Sequence, residues 1–222
     1  MSDIGIIGAG SFGTALAISL AKENHNVNLW ARSETQIKEM LELNENKKFL
    51  PGITFPKTLR PILDFRDLEC CSIILIAIPT QSLNQFFLHD FKFNNLPVVA
   101  CCKGAELETG DLPTEIIKRY LPNNEVLVLT GPGFASELAL GKPTAMSLGS
   151  DRSETNIQKM LSSKTLRLYQ SDDLIVEDDV DVRQFTRSIF ESEYKIIEAN
   201  NGERGIKKAI KNIPDIIISD LM

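Results

Sequence analysis

Apolar residues in the first 170 positions fall in short runs too continuous to form one face of a half-exposed sheet. Residues 4–7, 27–30, 73–78, 98–101, 126–130, 145–148 and 166–169 read as strands that are apolar on both faces, the pattern of a parallel sheet covered by helices. Between them, residues 11–22, 33–43, 81–89, 112–120, 134–140 and 154–161 read as helices, several opening on a residue able to cap an N-terminus. In 112–120, Ile116, Ile117 and Tyr120 fall at helical spacing, and Pro113 sits early, where its missing N–H costs least. Residues 44–61, with three prolines and one glycine, predict a surface loop with at most short elements, the kind of long irregular segment that often carries function. The alternation restarts after residue 173: 174–176, 194–199 and 216–219 read as strands, 182–190 and 202–211 as helices. The pattern is α/β throughout, in two parts, 1–173 and 174–222.

Composition narrows the class without changing the fold. At 222 residues, 43% hydrophobic and 24% charged, the chain is neither disordered nor fibrous and is long enough to bury a real core. A net charge of −6 argues against broad binding to nucleic acid or to an anionic membrane, leaving room only for a local basic site. The longest apolar run, 72–78, is far too short for a bilayer, and no basic segment followed by an apolar one opens the chain; a cytoplasmic protein is expected. Cys70-Cys71 and Cys101-Cys102 sit beside or within apolar runs and are expected to be buried, reduced thiols, with a metal or redox site the alternative. His25 and His89 lie outside every motif and read as surface residues.

The chemistry concentrates in Gly8-Ala9-Gly10-Ser11-Phe12-Gly13, placed between the first strand and the first helix. In that context Gly8 permits the tight turn, Gly10 lets the main chain approach a pyrophosphate, and Gly13 lets the helix pack closely on the strand. The helix N-terminus offers unpaired N–H groups and partial positive charge to the phosphates. These features predict that the first part is a Rossmann-type doubly wound, mostly parallel sheet that binds a dinucleotide, a tight turn that binds nothing being the alternative. The second strand ends in Trp30-Ala31-Arg32-Ser33, with no acid until Glu34. An acid there would accept from a ribose 2′-hydroxyl; Arg32 suits a 2′-phosphate instead, so NADP(H) is expected to be accepted, with NAD(H) the alternative and a solvated Arg32 the plain reading.

Further motifs occur in a fixed order: Ile6–Ala17 around the glycine turn, Leu29-Trp30-Ala31-Arg32, Phe49-Leu50-Pro51-Gly52, Ile78-Pro79-Thr80-Gln81, Cys102-Lys103-Gly104, Gly131-Pro132-Gly133-Phe134-Ala135, Lys142-Pro143-Thr144-Ala145 and Tyr169-Gln170-Ser171-Asp172-Asp173. Together they resemble the nucleotide-binding domain of bacterial NAD(P)-dependent sn-glycerol-3-phosphate dehydrogenases, over residues 1–173. The resemblance implies interconversion of sn-glycerol 3-phosphate and dihydroxyacetone phosphate for phospholipid synthesis. It implies that Ser11, Phe12, Arg32, Phe49 and Ala135 face the dinucleotide, that Lys103 reaches both coenzyme and substrate, and that Gly131 and Gly133 line the substrate side. Phe49 stands where the family more often has Tyr, and Gly133 where it has Ser or Thr. After Asp173 the family continues into a helical domain whose first helix carries a Lys-Asn pair, its general base; here Val176-Glu177-Asp178-Asp179 follow, and residues 174–222 do not resemble that domain. The expectation is a chain that binds coenzyme but turns over little by itself.

The tail resembles something else. Leu174-Ile175-Val176-Glu177-Asp178-Asp179 and Pro214-Asp215-Ile216-Ile217-Ile218-Ser219-Asp220, with an amphipathic helix and Asn200-Asn201-Gly202 between, are similar to the first half of a response-regulator receiver domain, a partial flavodoxin-like βαβαβ segment. That resemblance implies that Glu177, Asp178 and Asp220 gather around Mg²⁺, with Asp220 the phosphoacceptor; acids solvated at strand ends are the alternative. The two likenesses meet at Asp173-Leu174-Ile175-Val176, as in a chimera or fusion. An unpaired sheet edge in the tail is expected to invite a homodimer.

Overall fold

Eight strands form one sheet in the computed structural model, which describes residues 2–88, 93, 95–131, 133–150, 156–169, 175–176, 184, 187, 196–212 and 218–219. In chain order they are β1 Asp3–Ile7, β2 Asn26–Trp30, β3 Leu59–Ile62, β4 Ile73–Ile76, β5 Val98–Ala100, β6 Val126–Thr130, β7 Thr144–Gly149 and β8 Leu166–Tyr169. Across the sheet they run β3-β2-β1-β4-β5-β6-β7-β8, parallel except for the β6–β7 pair. This is the doubly wound order, and the chain reverses direction across the sheet between β1 and β4. Contacts divide the chain into two compact units, Met1–Tyr169 and Gln170–Met222.

Strict alternation along the strands builds two cores. Ile4, Ile6, Ile73, Leu75, Val99, Leu127 and Leu129 face one side, where they meet helices α1 Ser11–Lys22, α2 Glu34–Leu43, α5 Ala135–Leu140 and α6 Asn156–Leu161. Ile7, Ile74, Ile76, Val98, Ala100 and Val126 face the other side, under α3 Leu83–Phe87 and α4 Pro113–Tyr120. Each buried Val, Leu or Ile side chain contributes about 1.5–3 kcal/mol by leaving water, which is why both faces of the sheet must be covered. Trp30, Phe65 and Phe86 close the second core at one edge, with ring centroids 5.5–5.9 Å apart.

The 44–61 segment carries only short elements, as its prolines suggest. Its last residues enter β3, where Pro61 pairs opposite Leu29 of β2. β3 is an outermost strand of the sheet, where a residue without an N–H fits the ladder. The rest is tied down: Glu45 and Thr54 form a bridge, and Asn44 and Phe55 exchange hydrogen bonds of 2.8 and 3.3 Å.

Two expectations are corrected. Cys71 and Cys101 are buried and Cys102 is partly so, but Cys70 is exposed, because it follows the 3₁₀ turn Phe65–Leu68 on the solvent side. His25 is half-buried rather than on the surface, with its Nδ1 enclosed and unpartnered among the described residues. His89 lies outside the described residues.

In the second unit, the described strands β9 Ile175–Val176, β10 Glu198–Ala199 and β11 Ile218–Ser219 form a parallel sheet in the order β10-β9-β11. Helix α7, Gly202–Asn212, begins after Asn201, whose side-chain oxygen accepts from Arg204 N–H at 2.9 Å. The helix expected over 182–190 falls almost wholly outside the described residues.

Candidate functional site

Because β1 to β6 are mutually parallel, their C-terminal ends lie along one edge of the sheet. Gly8 follows β1, Arg32 follows β2, Thr80 follows β4, Lys103 follows β5, and Gly131 and Gly133 follow β6. The fold therefore carries most of the residues singled out by sequence to the edge where open α/β sheets present ligand contacts.

The turn after β1 is built so tightly that only glycine fits at two positions. At Gly8, φ is +112° and a Cβ would lie 2.6 Å from the Ala77 carbonyl oxygen just beyond β4. At Gly13, a Cβ would come within 2.0 Å of the Gly8 carbonyl oxygen, so this glycine brings α1 down onto the turn. Gly10 differs: its backbone is extended, and a Cβ there meets nothing within 4 Å. The space beside Gly10 is open.

Gly10 is also the N-cap of α1, and among the described residues no side chain caps this end and no acid occupies the first turn. The other longer helices of this unit are treated differently. Ser33 Oγ accepts from Gln36 N–H at the start of α2, and the Glu115 carboxylate accepts from Leu112 N–H at the start of α4. The orphan N–H groups of α1, together with its dipole, favour an anion by about 0.3–1 kcal/mol, and more where the site is partly buried. At the opposite end, Lys22 Nζ donates to the Ala139 carbonyl of α5 at 2.7 Å.

The 44–55 loop folds over this helix end. The Ser11 hydroxyl donates to the Phe49 carbonyl at 2.8 Å, which brings these two expected coenzyme contacts together. Phe49 stays 38% exposed, with Lys48 Nζ 5.2 Å from its ring centroid. Phe12 and Ala135 are partly buried against the first core, Ala135 at the start of α5, which packs along α1. Arg32 and Lys103 are exposed, and neither has an ion-pair partner among the described residues.

Lys103 is held by its main chain. Thr80, 3% exposed, donates its hydroxyl to the Lys103 carbonyl at 2.7 Å, and Gln81 Nε2 donates to Ala105 O at 2.8 Å. Gly131 has φ +141°, and a Cβ there would meet Met146 Cα at 3.0 Å. Gly133 has ordinary room: its Cβ would sit 3.4 Å from Thr144 Cγ2.

Several supporting residues escaped sequence reasoning. Asn46 and Gln36 both donate to the Ala9 carbonyl inside the glycine turn, and Thr80 anchors the lysine loop. Thr80 sits inside a motif already noted, Ile78-Pro79-Thr80-Gln81, whereas Asn46 had only one local signal, three residues ahead of Phe49-Leu50-Pro51-Gly52.

The buried thiols are inert by environment, Cys102 beside the lysine loop and Cys71 at the opposite edge of the sheet. Burial pushes Cys71 and Cys102 up to about 12, and Cys101 is raised by burial as well. Glu177, Asp178 and Asp220 lie outside the described residues; among the described residues no group of three or more His, Cys, Asp or Glu side chains is placed to hold a metal ion. Among the described residues, too, no helix is long and apolar enough to cross a membrane.

Comparison with known proteins agrees with this geometry. The family model for the N-terminus of NAD-dependent glycerol-3-phosphate dehydrogenase matches residues 3–156. A glycerol-3-phosphate dehydrogenase [NAD(P)+] of Roseobacter denitrificans is 43% identical over 176 residues, covering 78% of this chain and 54% of the relative. The crystal structure of glycerol-3-phosphate dehydrogenase from Coxiella burnetii superposes with a TM-score of 0.72 at 31% identity, covering 78% of this chain and 54% of that one. A glycerol-3-phosphate dehydrogenase of Plasmodium falciparum, 18% identical with a TM-score of 0.69 over 78% of this chain and 53% of its own, shares the fold. The chain thus spans about half the length of these relatives.

Proposed function

Because the chain belongs to the NAD-dependent glycerol-3-phosphate dehydrogenase family, we propose that it binds NADP or NAD in the crevice at the C-terminal edge of its first sheet. The observation that carries this reading is the bare N-terminus of α1, standing over a turn whose Gly8 and Gly13 admit no side chain and whose Gly10 leaves open space. That cradle fits a diphosphate. Arg32 and Ser33 would face the adenosine ribose and favour a 2′-phosphate, Phe49 would pack on the coenzyme beside Ser11 and Phe12, and Ala135 would border it from α5.

Bound there, the nicotinamide supplies a hydride acceptor for a secondary alcohol, or a donor in the reverse direction. The proposed substrate pair is sn-glycerol 3-phosphate and dihydroxyacetone phosphate, which would place the reaction at the supply of phospholipid precursors. Lys103, exposed and without an ion-pair partner among the described residues, supplies a cation for the substrate phosphate. Gly131 and Gly133 would line the substrate side. Residues 174–222 do not resemble the family's helical domain, and their single Lys-Asn pair, Lys211-Asn212, closes helix α7 of the second unit; a positioned base contributes typically about 10²–10⁴-fold. These 222 residues by themselves are therefore proposed to bind coenzyme with little turnover.

Calorimetric titration of NADH and NADPH into wild type and Arg32→Ala tests the binding half. Binding by the wild type, with a larger loss for NADPH than for NADH in the variant, is expected; unchanged NADPH affinity removes Arg32 from the site. Rapid oxidation of NADPH by dihydroxyacetone phosphate on the purified chain would contradict the low-turnover half alone.

A second reading concerns residues 174–222, and one observation favours it: β10-β9-β11 is the second-first-third parallel order with which flavodoxin-like folds begin. On that reading Asp220 accepts phosphate, with Glu177 and Asp178 helping to hold Mg²⁺, and two copies pair through the sheet edge. Incubation with acetyl phosphate and magnesium should add the mass of one phosphoryl group, lost in Asp220→Asn; no mass change rejects it.

A further inference from the structure

A carbonyl that faced the crevice from the glycine-rich turn would repel a phosphate, and the Ala9 carbonyl is held elsewhere. Two side-chain amides converge on it: Gln36 Nε2 from the first turn of α2, at 2.8 Å, and Asn46 Nδ2 from the 44–55 loop, at 3.0 Å. Asn46 is 1% exposed, and its Nδ2 also donates to Thr14 Oγ1 inside α1 at 2.8 Å. The Asn46 carbonyl in turn accepts from the N–H groups of Phe49 and Leu50, at 3.2 and 2.8 Å. One buried side chain thus joins the glycine turn, the first helix and the loop that covers them.

Peptide geometry turns this into a consequence for binding. In a trans peptide the N–H points opposite to the preceding C=O, and no described peptide of this chain is cis. Fixing the Ala9 oxygen against Gln36 and Asn46 therefore fixes the Gly10 N–H on the other side. That N–H has no acceptor among the described residues, and the space beside Gly10 is open. Reversing this peptide would abandon two hydrogen bonds, one of them buried.

We infer that Asn46 and Gln36 are positioning residues that set the Ala9–Gly10 peptide with its N–H toward the coenzyme diphosphate, so that the anion site exists before the coenzyme arrives. The inference rests on the reading of this crevice as the coenzyme site. With one amide removed, the binding-competent peptide orientation is populated only part of the time, and apparent affinity falls by that fraction. Nothing in the ribose contacts changes.

The experiment uses the full chain, wild type and the variants Gln36→Leu, Asn46→Ala and the double variant. Gln36 is only half-buried, so its replacement keeps the question open should Asn46→Ala fail to fold. NADPH and NADH affinities are measured by calorimetry, and the Gly10, Arg32 and Ser33 amides are followed by ¹⁵N–¹H NMR during titration. Each single variant should weaken coenzyme binding by roughly 3–10-fold, and the double variant by about 30-fold. In Gln36→Leu the Gly10 amide of the free chain should move from its wild-type position, because part of the population holds the other peptide orientation, and should return to the wild-type bound position at saturation, while Arg32 and Ser33 titrate as in wild type. Wild-type affinity in Gln36→Leu overturns the inference, as does a free-chain Gly10 amide that stays at its wild-type position. A wild type that binds neither coenzyme overturns the underlying reading, and the inference with it.

Discussion

Replacing Gly10 with alanine separates the coenzyme site from the fold more cleanly than any other change. The residue sits at φ −79°, ψ −175°, extended backbone open to any residue, and a methyl there touches no protein atom within 4 Å. Alanine is a poorer N-cap than glycine by a few tenths to about 1 kcal/mol. Its narrower unfolded ensemble offsets this by about 0.4–1 kcal/mol. The melting temperature should stay within about 2–4 °C of wild type, the range that ~1 kcal/mol covers in a domain of this size. Binding should not survive so well. The methyl occupies the approach to the α1 N-terminus and holds phosphate oxygens at carbon contact, roughly 3.5 Å, instead of the ~2.8 Å of a charge-assisted N–H bond. Losing one or two such bonds, each worth about 1.5–3 kcal/mol, gives a loss of about 3 kcal/mol, or roughly 100-fold in Kd. Gly13→Ala should do the reverse, because its methyl would overlap the Gly8 carbonyl oxygen at 2.0 Å and destabilise the fold by about 1–3 kcal/mol or more. Calorimetric titration and thermal denaturation of the two variants check both. A Gly10→Ala chain that binds NADPH and NADH as tightly as wild type refutes the reasoning.

Other outcomes follow from the environments of single residues. Thiol titration with an aromatic disulfide at pH 8 should find one fast-reacting cysteine, Cys70, and the reaction should vanish in Cys70→Ser; Cys71 and Cys102, pushed up to about 12 by burial, should react only on unfolding. His25 is held below its ordinary value of 6.5, chiefly by burial, so the unfolded chain binds its proton more readily. Its contribution to stability is complete above pH 6.5 and is lost as the pH falls below that value; urea denaturation between pH 7 and 5 should show a decline that is smaller in His25→Gln. Gly133→Ser should fold normally, since its Cβ meets Thr144 Cγ2 at an ordinary 3.4 Å; a fall in melting temperature beyond about 4 °C would show that the site is tighter than its backbone indicates.

Sequence alone reached the parts of the site that are local. β1, the glycine turn and α1 were legible because strand, turn and helix signals are contiguous, and the two-faced core followed from alternation in runs such as Ile73–Ile76. β3 was hidden by Pro61, which argues against a strand until the strand is known to lie at an edge. His25 was misread because its enclosure comes from packing distant in sequence, including Met160, whose backbone it meets. Asn46 and Gln36 were invisible for the same reason: their partner, the Ala9 carbonyl, lies 37 and 27 residues away. An amide side chain in a loop has no periodicity to betray it. The lysine loop shows both cases, since Lys103 was expected at a strand end while Thr80, which fixes it from 23 residues away, was not.

The central claim is that a diphosphate sits against the bare amides where β1 passes into α1. Crystals of the chain grown with NADPH test it most directly. Density for the diphosphate within hydrogen-bond distance, about 3 Å, of the Gly10, Ser11 or Phe12 N–H groups is the predicted result; coenzyme bound elsewhere, or a crevice without it at saturating concentration, contradicts the account.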